Sequence, residues 1–438
     1  MNKHPDVFKN AIEIEGIFAN FGFHPAGLCI SDIPLSNIAP LRTAKKGVLA
    51  TQYTMEQLED IGLIKFDVLA ISTLTVIKKT LKMIKENYNL DVNIENLPLD
   101  DKATFELYKS GNLDGVFQCE SWPMQETVKT MKADNIDDIM AAISLYRPGP
   151  MDNIPEYCAR KEGFSKLDYF HPSIEKFVKP ILEKTYSIII YQEQIQQICH
   201  ALAGFSIADG YVMIKAIGKK KKHLMEKYEK RFIEGAIKKE VPKDVIKEYW
   251  DKRIVPFASY GFNLAHAGAY AMTSYITCYL KANYSDEFIC SLLSVEAERA
   301  HWDKVESFEK SFKKKMNINI LPRNLNDCGI NYAIEKKKDV LSGVNKTEIR
   351  PGFLCKGVGL AVSENIKENQ PYENLQDFAK RTSFSIVDTR VVAALCESGY
   401  FGEKGKRNQE KIVENFSKIR QDIKNANKKG LESVDIFE

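Results

Sequence analysis

The chain contains 438 residues, of which 44% are hydrophobic and 28% are charged. This length corresponds to about three domains of ordinary size, and the composition excludes a chain that is disordered over most of its length. The 62 basic and 59 acidic residues leave a formal charge of only +3, so any affinity for nucleic acid must come from local basic patches.

The nine cysteines are an odd number and include no Cys-x-x-Cys pair. This pattern indicates reduced thiols rather than a disulfide scaffold or a zinc ribbon. The N-terminus lacks the apolar core of a signal peptide, and no apolar run approaches the length of about 18 residues that a membrane-spanning helix needs. The sequence therefore predicts a cytoplasmic protein without a membrane segment.

The predicted elements change character along the chain. Over the first 75 residues, apolar periodicity predicts a short amphipathic helix at 7–20, an apolar segment at 25–30, and two strands at 47–53 and 63–71. From Thr73 to about residue 325, helical spacing dominates and predicts one large helical domain.

One strand-like run, at 188–191, interrupts this helical pattern. Beyond the helical domain, a smaller unit contains the turn Lys356-Gly357-Val358-Gly359, followed by a predicted helix. The tail after Gly405 is rich in lysine and is predicted to be helical.

Two charged side chains interrupt the apolar strand predicted at 63–71. Lys65 and Asp67 are two residues apart, so they share one face of the strand at a spacing of about 7 Å. Because burying either charge unpaired is costly, both should face a cleft, a metal or each other. A purely structural ion pair fits the same pattern.

A polar stripe follows helical spacing further along the chain and consists of His266, Tyr270, Ser274, Thr277 and Lys281. Side chains that stack, donate hydrogen bonds and contact phosphate suit a groove that holds nucleotides. A core histidine beside a tyrosine hydroxyl is the alternative.

Two basic segments contain glycine and can contact phosphate. Gly218 precedes four lysines at 219–222, and the turn at 356–359 leads into a helix whose N–H groups can point at an anion. A solvated lysine run and an ordinary turn are the alternatives. The segment 191–194 opens a helix and serves equally well as its cap.

Several common catalytic patterns are missing from the sequence. It contains no Ser/His/Asp order, Walker loop, dinucleotide fingerprint or His/Cys metal cluster. Ordinary hydrolase, kinase and dehydrogenase functions therefore lack support.

Seven segments in this order closely resemble the C family of bacterial replicative polymerases, the DNA polymerase III alpha subunits. They are HPAG at 24–27, KFDVL at 65–69, GVFQCES at 115–121, LYRPGPM at 145–151, IYQEQ at 190–194, AIGKK at 216–220, and YGFN at 260–263 with His266 and Tyr270 after it. The resemblance runs nearly from end to end of the chain.

The resemblance implies an α+β fold in which helix predominates. Residues 1–72 would form the end of the thumb and the last part of a polymerase β-like palm, and 73–325 a helical fingers domain. Residues 326–405 would form a clamp-binding domain with a tandem helix-hairpin-helix, followed by a helical tail at 406–438.

The function implied by the resemblance is DNA-directed DNA synthesis, in which a deoxynucleoside triphosphate extends the 3′-hydroxyl of a primer–template DNA. In the family, three palm aspartates bind two Mg²⁺ ions for this reaction. Asp67 matches the third aspartate, so it is the expected catalytic residue and metal ligand. Lys65 matches a lysine near the reacting phosphates.

The first two family aspartates form an Asp-x-Asp pair, and this sequence contains no Asp-x-Asp. We therefore expect a Mg²⁺ site shared with a separate N-terminal polymerase segment, and a chain that is inactive alone. The Met1 start fits a separate reading frame or a fragment boundary.

The resemblance also implies a surface that binds nucleotide and DNA. Its expected residues are Arg147, Gln192, Lys215, Lys219, Lys220, Asn263, His266 and Tyr270 in the fingers, and Lys356, Gly357 and Gly359 in the hairpin motif. This chain has Ile214 and Leu264 where the family usually has basic residues. Because a guanidinium binds phosphate with two hydrogen bonds, these departures should weaken nucleotide binding.

The final residues, SVDIF at 433–437, resemble the family's short motif for binding a sliding clamp, with Ile436 and Phe437 as apolar anchors. A frayed terminal helix is the alternative. For the whole chain, the alternative function is a non-catalytic DNA-binding or replisome-scaffolding paralogue, which the absent carboxylates, Ile214 and Leu264 favour.

Overall fold

The structure is a computed structural model that describes residues 4–17, 22–24, 26–44, 47–68, 70–219, 222–338, 345–402 and 406–432. The chain forms two compact units, Met1–Ser72 and Thr73–Glu438. Helix predominates and the sheets are small, so the predicted α+β class is confirmed.

The first unit is built on two short sheets. Its elements are α1 (Pro5–Ile14), β1 (Gly27–Ile30), β2 (Leu41–Thr43), β3 (Leu49–Thr51), α2 (Met55–Asp60) and β4 (Ile64–Asp67). β1 pairs antiparallel with β4, and β2 pairs antiparallel with β3. The strands predicted at 47–53 and 63–71 therefore exist but are shorter, and part of the helix predicted at 7–20 lies outside the described residues.

One face of the β1–β4 sheet is apolar and exposed. Leu28 lies opposite Phe66, and Ile30 lies opposite Ile64. These four side chains, which we call the apolar sheet face, are each about half exposed or more. Side chains alternate along a strand, so the opposite face carries Cys29, Lys65 and Asp67.

The second unit begins with a large set of packed helices. They are α3 (Ser72–Tyr88), α4 (Lys102–Ser110), α5 (Trp122–Thr130), α6 (Ile136–Leu145), α7 (Ile154–Lys161), α8 (Pro172–Leu182), α9 (Gln192–Ala203), α10 (Ile207–Gly218), α11 (Lys222–Ile237), α12 (Lys243–Tyr249), α13 (Val255–Tyr260), α14 (Leu264–Asn283), α15 (Ser285–Glu298) and α16 (Trp302–Met316). Several begin at a side chain that accepts a backbone N–H, as Asp101 does for α4 and Ser206 for α10.

Two apolar cores organise these helices. In the first, α14 packs against α4 and α6 through Ala267, Ala271, Tyr275 and Cys278, which recur every three or four residues. The second core is enclosed by α8 to α13 and contains Trp250. Aromatic and aliphatic side chains of several helices fill it without a sheet.

The strand predicted at 188–191 is wrong. The run is buried, but within the described segments its pairing is limited to one parallel bridge between Tyr191 and Phe262. The Phe262 N–H donates to the Ile190 carbonyl at 3.0 Å, and the Gln192 N–H donates to the Phe262 carbonyl at 2.9 Å. Both segments then enter helices, α9 and α14, so the pairing cannot continue.

A small sheet follows α16 and packs on the helices. It consists of β5 (Asn319–Ile320), β6 (Ala333–Lys338) and β7 (Asn345–Arg350) in the order β5-β7-β6. Ile349 and Tyr332 join the core formed by α3, α15 and α16, so apolar packing continues across residue 325. The boundary placed there stays a prediction.

The C-terminal helices surround a separate core. They are α17 (Leu360–Glu368), α18 (Leu375–Arg381), α19 (Thr389–Ser398) and α20 (Lys406–Glu432). Phe378 and Leu395 meet Phe416 of α20, the helix predicted after Gly405. Among the described residues no single helix is long and apolar enough to cross a membrane, and α9 with α10 passes such a test only as a pair bent by 118°.

Candidate functional site

Lys65 and Asp67 contact each other on β4. The Lys65 Nζ atom lies 2.6 Å from Asp67 Oδ1. The lysine side chain is 18% exposed and the aspartate side chain 52% exposed, so the pair is open on the carboxylate side. The ion pair predicted as one alternative therefore exists, and it leaves Asp67 accessible.

His24 and Gly27 complete the surroundings of this carboxylate. The His24 Nδ1 atom lies 3.2 Å from the same oxygen of Asp67. Gly27 lies opposite Asp67, and a Cβ atom on it would lie 2.7 Å from Lys65 Cε. A side chain at position 27 would therefore displace the end of the lysine from the position in which it lies across β1 and contacts the aspartate.

Electrostatics keep Asp67 ionised. The hydrogen bond from Lys65 is the main cause that holds the pKa of Asp67 below its ordinary value, and the charges of Lys65 and His24 add to it. Both neighbours contact Oδ1, so a second carboxylate oxygen remains for another ligand.

These residues do not form a magnesium site by themselves. Within the described ranges, no group of three or more His, Cys, Asp or Glu side chains is placed to hold a metal ion. Mg²⁺ needs near-octahedral oxygen coordination, usually with one or two carboxylates together with waters and substrate phosphates. Asp67 can therefore supply one of the ligands of such a site, and the other ligands must come from elsewhere.

In the second unit, two of the sequence motifs contact Phe262, which belongs to a third motif, YGFN. The first is the bridge to Tyr191 at the start of α9. The second is Arg147, whose Nη2 donates to the Tyr260 carbonyl at 2.9 Å and whose guanidinium lies 4.5 Å from the Phe262 ring centroid. Arg147 thus fixes the segment that leads into α14.

From Phe262 a row of aromatic rings in tilted contact extends along α14. The centroid distances are 5.4 Å from Phe262 to His266, 4.2 Å from His266 to Tyr270, and 5.2 Å from Tyr270 to Phe117. We call these four side chains the aromatic row. His266 is exposed and Tyr270 partly exposed, so a nucleotide base can stack there.

Glu193 holds the first turn of α14, although the sequence placed it only in the IYQEQ segment and not among the expected site residues. Its Oε1 accepts from Asn263 Nδ2 at 2.8 Å and its Oε2 accepts from the Leu264 N–H at 2.9 Å. Asn263 in turn accepts from the His266 N–H at 2.8 Å. Both amide ends of Asn263 are therefore used to position His266.

The rest of the IYQEQ segment caps helix α9, which is the alternative that the sequence left open for 191–194. The Gln194 side-chain oxygen accepts from the N–H groups of Ile190 and Tyr191 at 2.8 and 3.0 Å. Gln192 is partly buried beside Gly261, and a Cβ atom added to this glycine would lie 3.0 Å from Gln192 Cγ.

The polar stripe predicted along α14 reaches solvent only at its first two members. Ser274, Thr277 and Lys281 are fully buried. The Thr277 hydroxyl accepts from the Phe117 N–H at 3.1 Å, and Lys281 Nζ donates to the carbonyls of Asn112 and Asp114 at 2.8 and 2.9 Å. Ser274 shares a hydrogen bond of 2.9 Å with the Tyr108 hydroxyl. Helix α14 is central, so Thr277 and Lys281 satisfy the 112–117 loop, and none of the three side chains lines a groove.

The basic positions of α10 are solvent exposed. Lys215 Nζ lies 4.7 Å from the Tyr211 ring centroid, and Lys219 follows the last helical residue. Lys220 lies outside the described residues. The α10 helix packs on α9 and α13, the two helices whose ends meet at Phe262.

The turn at 356–359, which we call the first loop, is closed by its own backbone. The Val358 N–H donates to the Cys355 carbonyl at 2.9 Å, and Gly359 precedes α17. Gly357 has φ of +89°, and a Cβ atom there would lie 2.8 Å from Ala394 Cβ. Lys356 is exposed, whereas Ile436 and Phe437 lie outside the described residues.

Three family models match separate parts of the chain. They are the bacterial DNA polymerase III alpha NTPase domain over 1–70, the bacterial DNA polymerase III alpha subunit finger domain over 73–240, and a helix-hairpin-helix motif over 317–411. Relatives named DNA polymerase III subunit alpha match across all three parts. That of Thermus aquaticus is 37% identical over 92% of this chain, and that of Bacillus subtilis is 36% identical over 91%. The chain belongs to the bacterial DNA polymerase III alpha family.

The chain spans about a third of the length of these alpha subunits. The matched part is 32% of the Thermus aquaticus protein, 34% of the Aquifex aeolicus protein and 35% of the Bacillus subtilis protein. The chain is thus similar to one segment of a replicative polymerase subunit.

One departure from the alpha-subunit pattern has a structural reason. Ile214 is 4% exposed and packs in the core formed by α8 to α13. A charged side chain at that position would be buried, whereas Lys215 beside it is exposed. In this structure Ile214 therefore does not lie on the surface where Lys215 and Lys219 lie.

Proposed function

We propose that this chain is a segment of a DNA-directed DNA polymerase that supplies one metal-binding carboxylate and the nucleotide-binding surface. Its substrates would be primer–template DNA and deoxynucleoside triphosphates. The observation that carries the proposal is the open, ionised carboxylate of Asp67, which Lys65 holds at one oxygen only.

Asp67 would supply one ligand to a Mg²⁺ site whose other carboxylates lie outside this sequence. Bound Mg²⁺ ions would offset the negative charge of the reacting phosphates. The ammonium of Lys65 fixes the direction of the Asp67 carboxylate and keeps it free of a proton. Lys65 would also contact the reacting phosphates.

The apolar sheet face supports a palm that is completed by further structure. A two-stranded sheet is marginally stable alone, and Leu28, Ile30, Ile64 and Phe66 expose a contiguous apolar surface. An element that covers this face would bury these side chains and add strands or helices beside Asp67.

The aromatic row and the α10 lysines would bind nucleotide. His266 and Tyr270 offer ring faces for a base, and Lys215 and Lys219 offer positive charge for a triphosphate. Arg147, Gln192 and Asn263 would act by fixing the approach of α9 and α14. Arg147 donates to the Tyr260 carbonyl, the Gln192 N–H donates to the Phe262 carbonyl, and Asn263 accepts from the His266 N–H.

The C-terminal part would bind the duplex. Lys356 with the backbone of Gly357 and Gly359 would contact a phosphate, as hairpin motifs do. Binding of a sliding clamp through Ile436 and Phe437 is proposed from the sequence alone. A cytoplasmic location is likewise proposed, and nine cysteines without a disulfide agree with a reducing compartment.

Primer extension by the full chain tests the proposal. We expect extension when the chain is mixed with a polypeptide that carries the family's remaining palm aspartates, and none with either polypeptide alone. Full activity of this chain alone would contradict the shared site. DNA binding without extension in any mixture would favour the scaffolding alternative, which the lone carboxylate also fits.

A further inference from the structure

Arg420 of α20 is a buried cation that pairs with no carboxylate in the described part of the chain. The residue is 7% exposed, and its Nη2 donates to the Thr382 carbonyl at 2.9 Å and to the Thr382 hydroxyl at 2.8 Å. Among the described residues, none of the acidic side chains pairs with it, and its Nε and Nη1 atoms meet no acceptor. Burial lowers the pKa of Arg420, yet a guanidinium keeps its proton in proteins.

Two aromatic rings sandwich this guanidinium between α20 and a loop. Its central carbon lies 3.8 Å from the Phe384 ring centroid and 5.0 Å from the Phe416 ring centroid. Phe416 belongs to the C-terminal core, whereas Phe384 is 40% exposed and lies in the connection from α18 to α19. Arg420 therefore fastens that connection to α20.

The connection, residues 382–388, which we call the second loop, carries two serine hydroxyls beside Phe384. It lies inside the part of the chain that matches the helix-hairpin-helix motif. Ser383 and Ser385 place their hydroxyls 3.1 Å apart, and the Ser383 N–H donates to Asn365 of α17. The loop ends at Asp388, which caps α19.

A buried charge without a counterion is costly, and an apolar side chain of similar length would fill the same space at lower cost. The two rings and the two Thr382 oxygens offset part of this cost. An anion at the exposed face of the second loop would offset more of it, because the ring of Phe384 lies between the guanidinium and solvent.

We propose that Arg420 is a positioning residue for DNA, which holds the second loop on α20 and places an uncompensated positive charge beneath it, so that the loop binds a phosphodiester of the duplex. The inference rests on the proposed DNA binding of the C-terminal part. It adds a residue of the tail helix to a function otherwise assigned to the loops.

Duplex binding by the full chain, measured by fluorescence anisotropy over a range of salt concentrations, tests the proposal. Arg420→Met keeps most of the packing, and Lys418→Met removes the same charge from an exposed position on the same helix. We expect Arg420→Met to weaken binding about tenfold. We also expect it to reduce the slope of log affinity against log salt by about 0.9, the value for one phosphate contact. Lys418→Met should change affinity less than about twofold.

Two further variants keep the test decisive if Arg420→Met unfolds the C-terminal helices. Thr382→Val removes the hydroxyl acceptor with little change of shape and should weaken binding in the same direction. Arg420→Lys keeps the charge and should restore the salt dependence, with only part of the affinity. Equal affinities for folded Arg420→Met, Thr382→Val and Lys418→Met would overturn the inference, whereas a wild-type chain that binds no duplex would overturn the proposed function as well.

Discussion

Glu193 accepts a hydrogen bond of 2.8 Å from the side-chain amide of Asn263, the residue that caps α14. This contact joins the start of α9 to the start of α14, although the two residues are 70 positions apart. Two rings of the aromatic row, those of His266 and Tyr270, stand on the first two turns of α14. Their geometry therefore depends on a carboxylate that belongs to another helix.

Replacing Glu193 by alanine should destabilise the second unit and weaken nucleotide binding. Loss of the acceptor for Leu264 N–H resembles loss of a helix cap, which costs about 1 kcal/mol. Thermal unfolding and calorimetric titration with a deoxynucleoside triphosphate measure the two effects. Gln197→Ala, an exposed change on the same helix, is the control, and equal behaviour of the two variants would contradict the role of Glu193.

Tyr270→Ala should weaken binding of the same triphosphate by about 1–3 kcal/mol, the range found when a stacking ring is removed. Tyr270→Phe keeps the ring and should bind nearly as well as the wild-type chain. Phe164→Ala removes a ring that is 84% exposed elsewhere in the helical domain, and it should have no effect. A loss in Tyr270→Phe as large as in Tyr270→Ala would argue against stacking.

Sequence periodicity predicted the features that depend on residues close together in the chain. The alternation of Lys65 and Asp67 placed both on one strand face, and the turn at 356–359 was found before a helix. It failed where burial is decided by distant packing. Ser274, Thr277 and Lys281 have the spacing of an exposed stripe but are buried, Ser274 against Tyr108 and the other two against the 112–117 loop.

The role of Glu193 was likewise invisible to local patterns, because its partners Asn263 and Leu264 are remote in sequence. A carboxylate at the first turn of a helix usually interacts with its own helix end. The buried run at 188–191 suited a strand, yet strand formation needs a partner of equal length, and Phe262 provides a single bridge.

Burial of Lys281 should make stability depend on pH. Desolvation lowers the pKa of Lys281 from 10.5 to about 8 in the folded chain. Between these values the unfolded chain binds a proton that the folded chain has lost, so the free energy of unfolding rises with pH in this window. The stabilisation of the wild-type chain relative to Lys281→Met should grow by about 1–3 kcal/mol from pH 8 to 10.5.

Denaturant unfolding of both chains at several pH values measures this difference. Lys102→Met, which removes an exposed lysine of α4, should give a difference from wild type that stays constant over the same range. A constant difference for Lys281→Met would show that the buried amine keeps its proton throughout.

The first loop should contribute a phosphate contact to duplex binding. Lys356→Ala should reduce the slope of log affinity against log salt by about 0.9, the value for one released counterion. Lys367→Ala, an exposed lysine at the other end of α17, should leave the slope unchanged. Anisotropy titrations of the three chains distinguish these outcomes, and identical slopes would remove Lys356 from the interface.

The same loop should tolerate no side chain at Gly357. A residue with φ of +89° is strained unless it is glycine, and the added Cβ would approach Ala394 Cβ to 2.8 Å. Gly357→Ala should therefore lower both the melting temperature and the duplex affinity. Unchanged values in both measurements would contradict the described loop geometry.

The most direct test of the account is primer extension by the complemented chain when Asp67 carries asparagine. We expect extension to collapse in Asp67→Asn while duplex affinity stays within about twofold of wild type, because the substitution removes a metal ligand and leaves the DNA-binding loops intact. Asp60→Asn, which neutralises an exposed carboxylate of the same unit, should extend normally. Normal extension by Asp67→Asn would contradict the central claim that this carboxylate is part of the catalytic metal site.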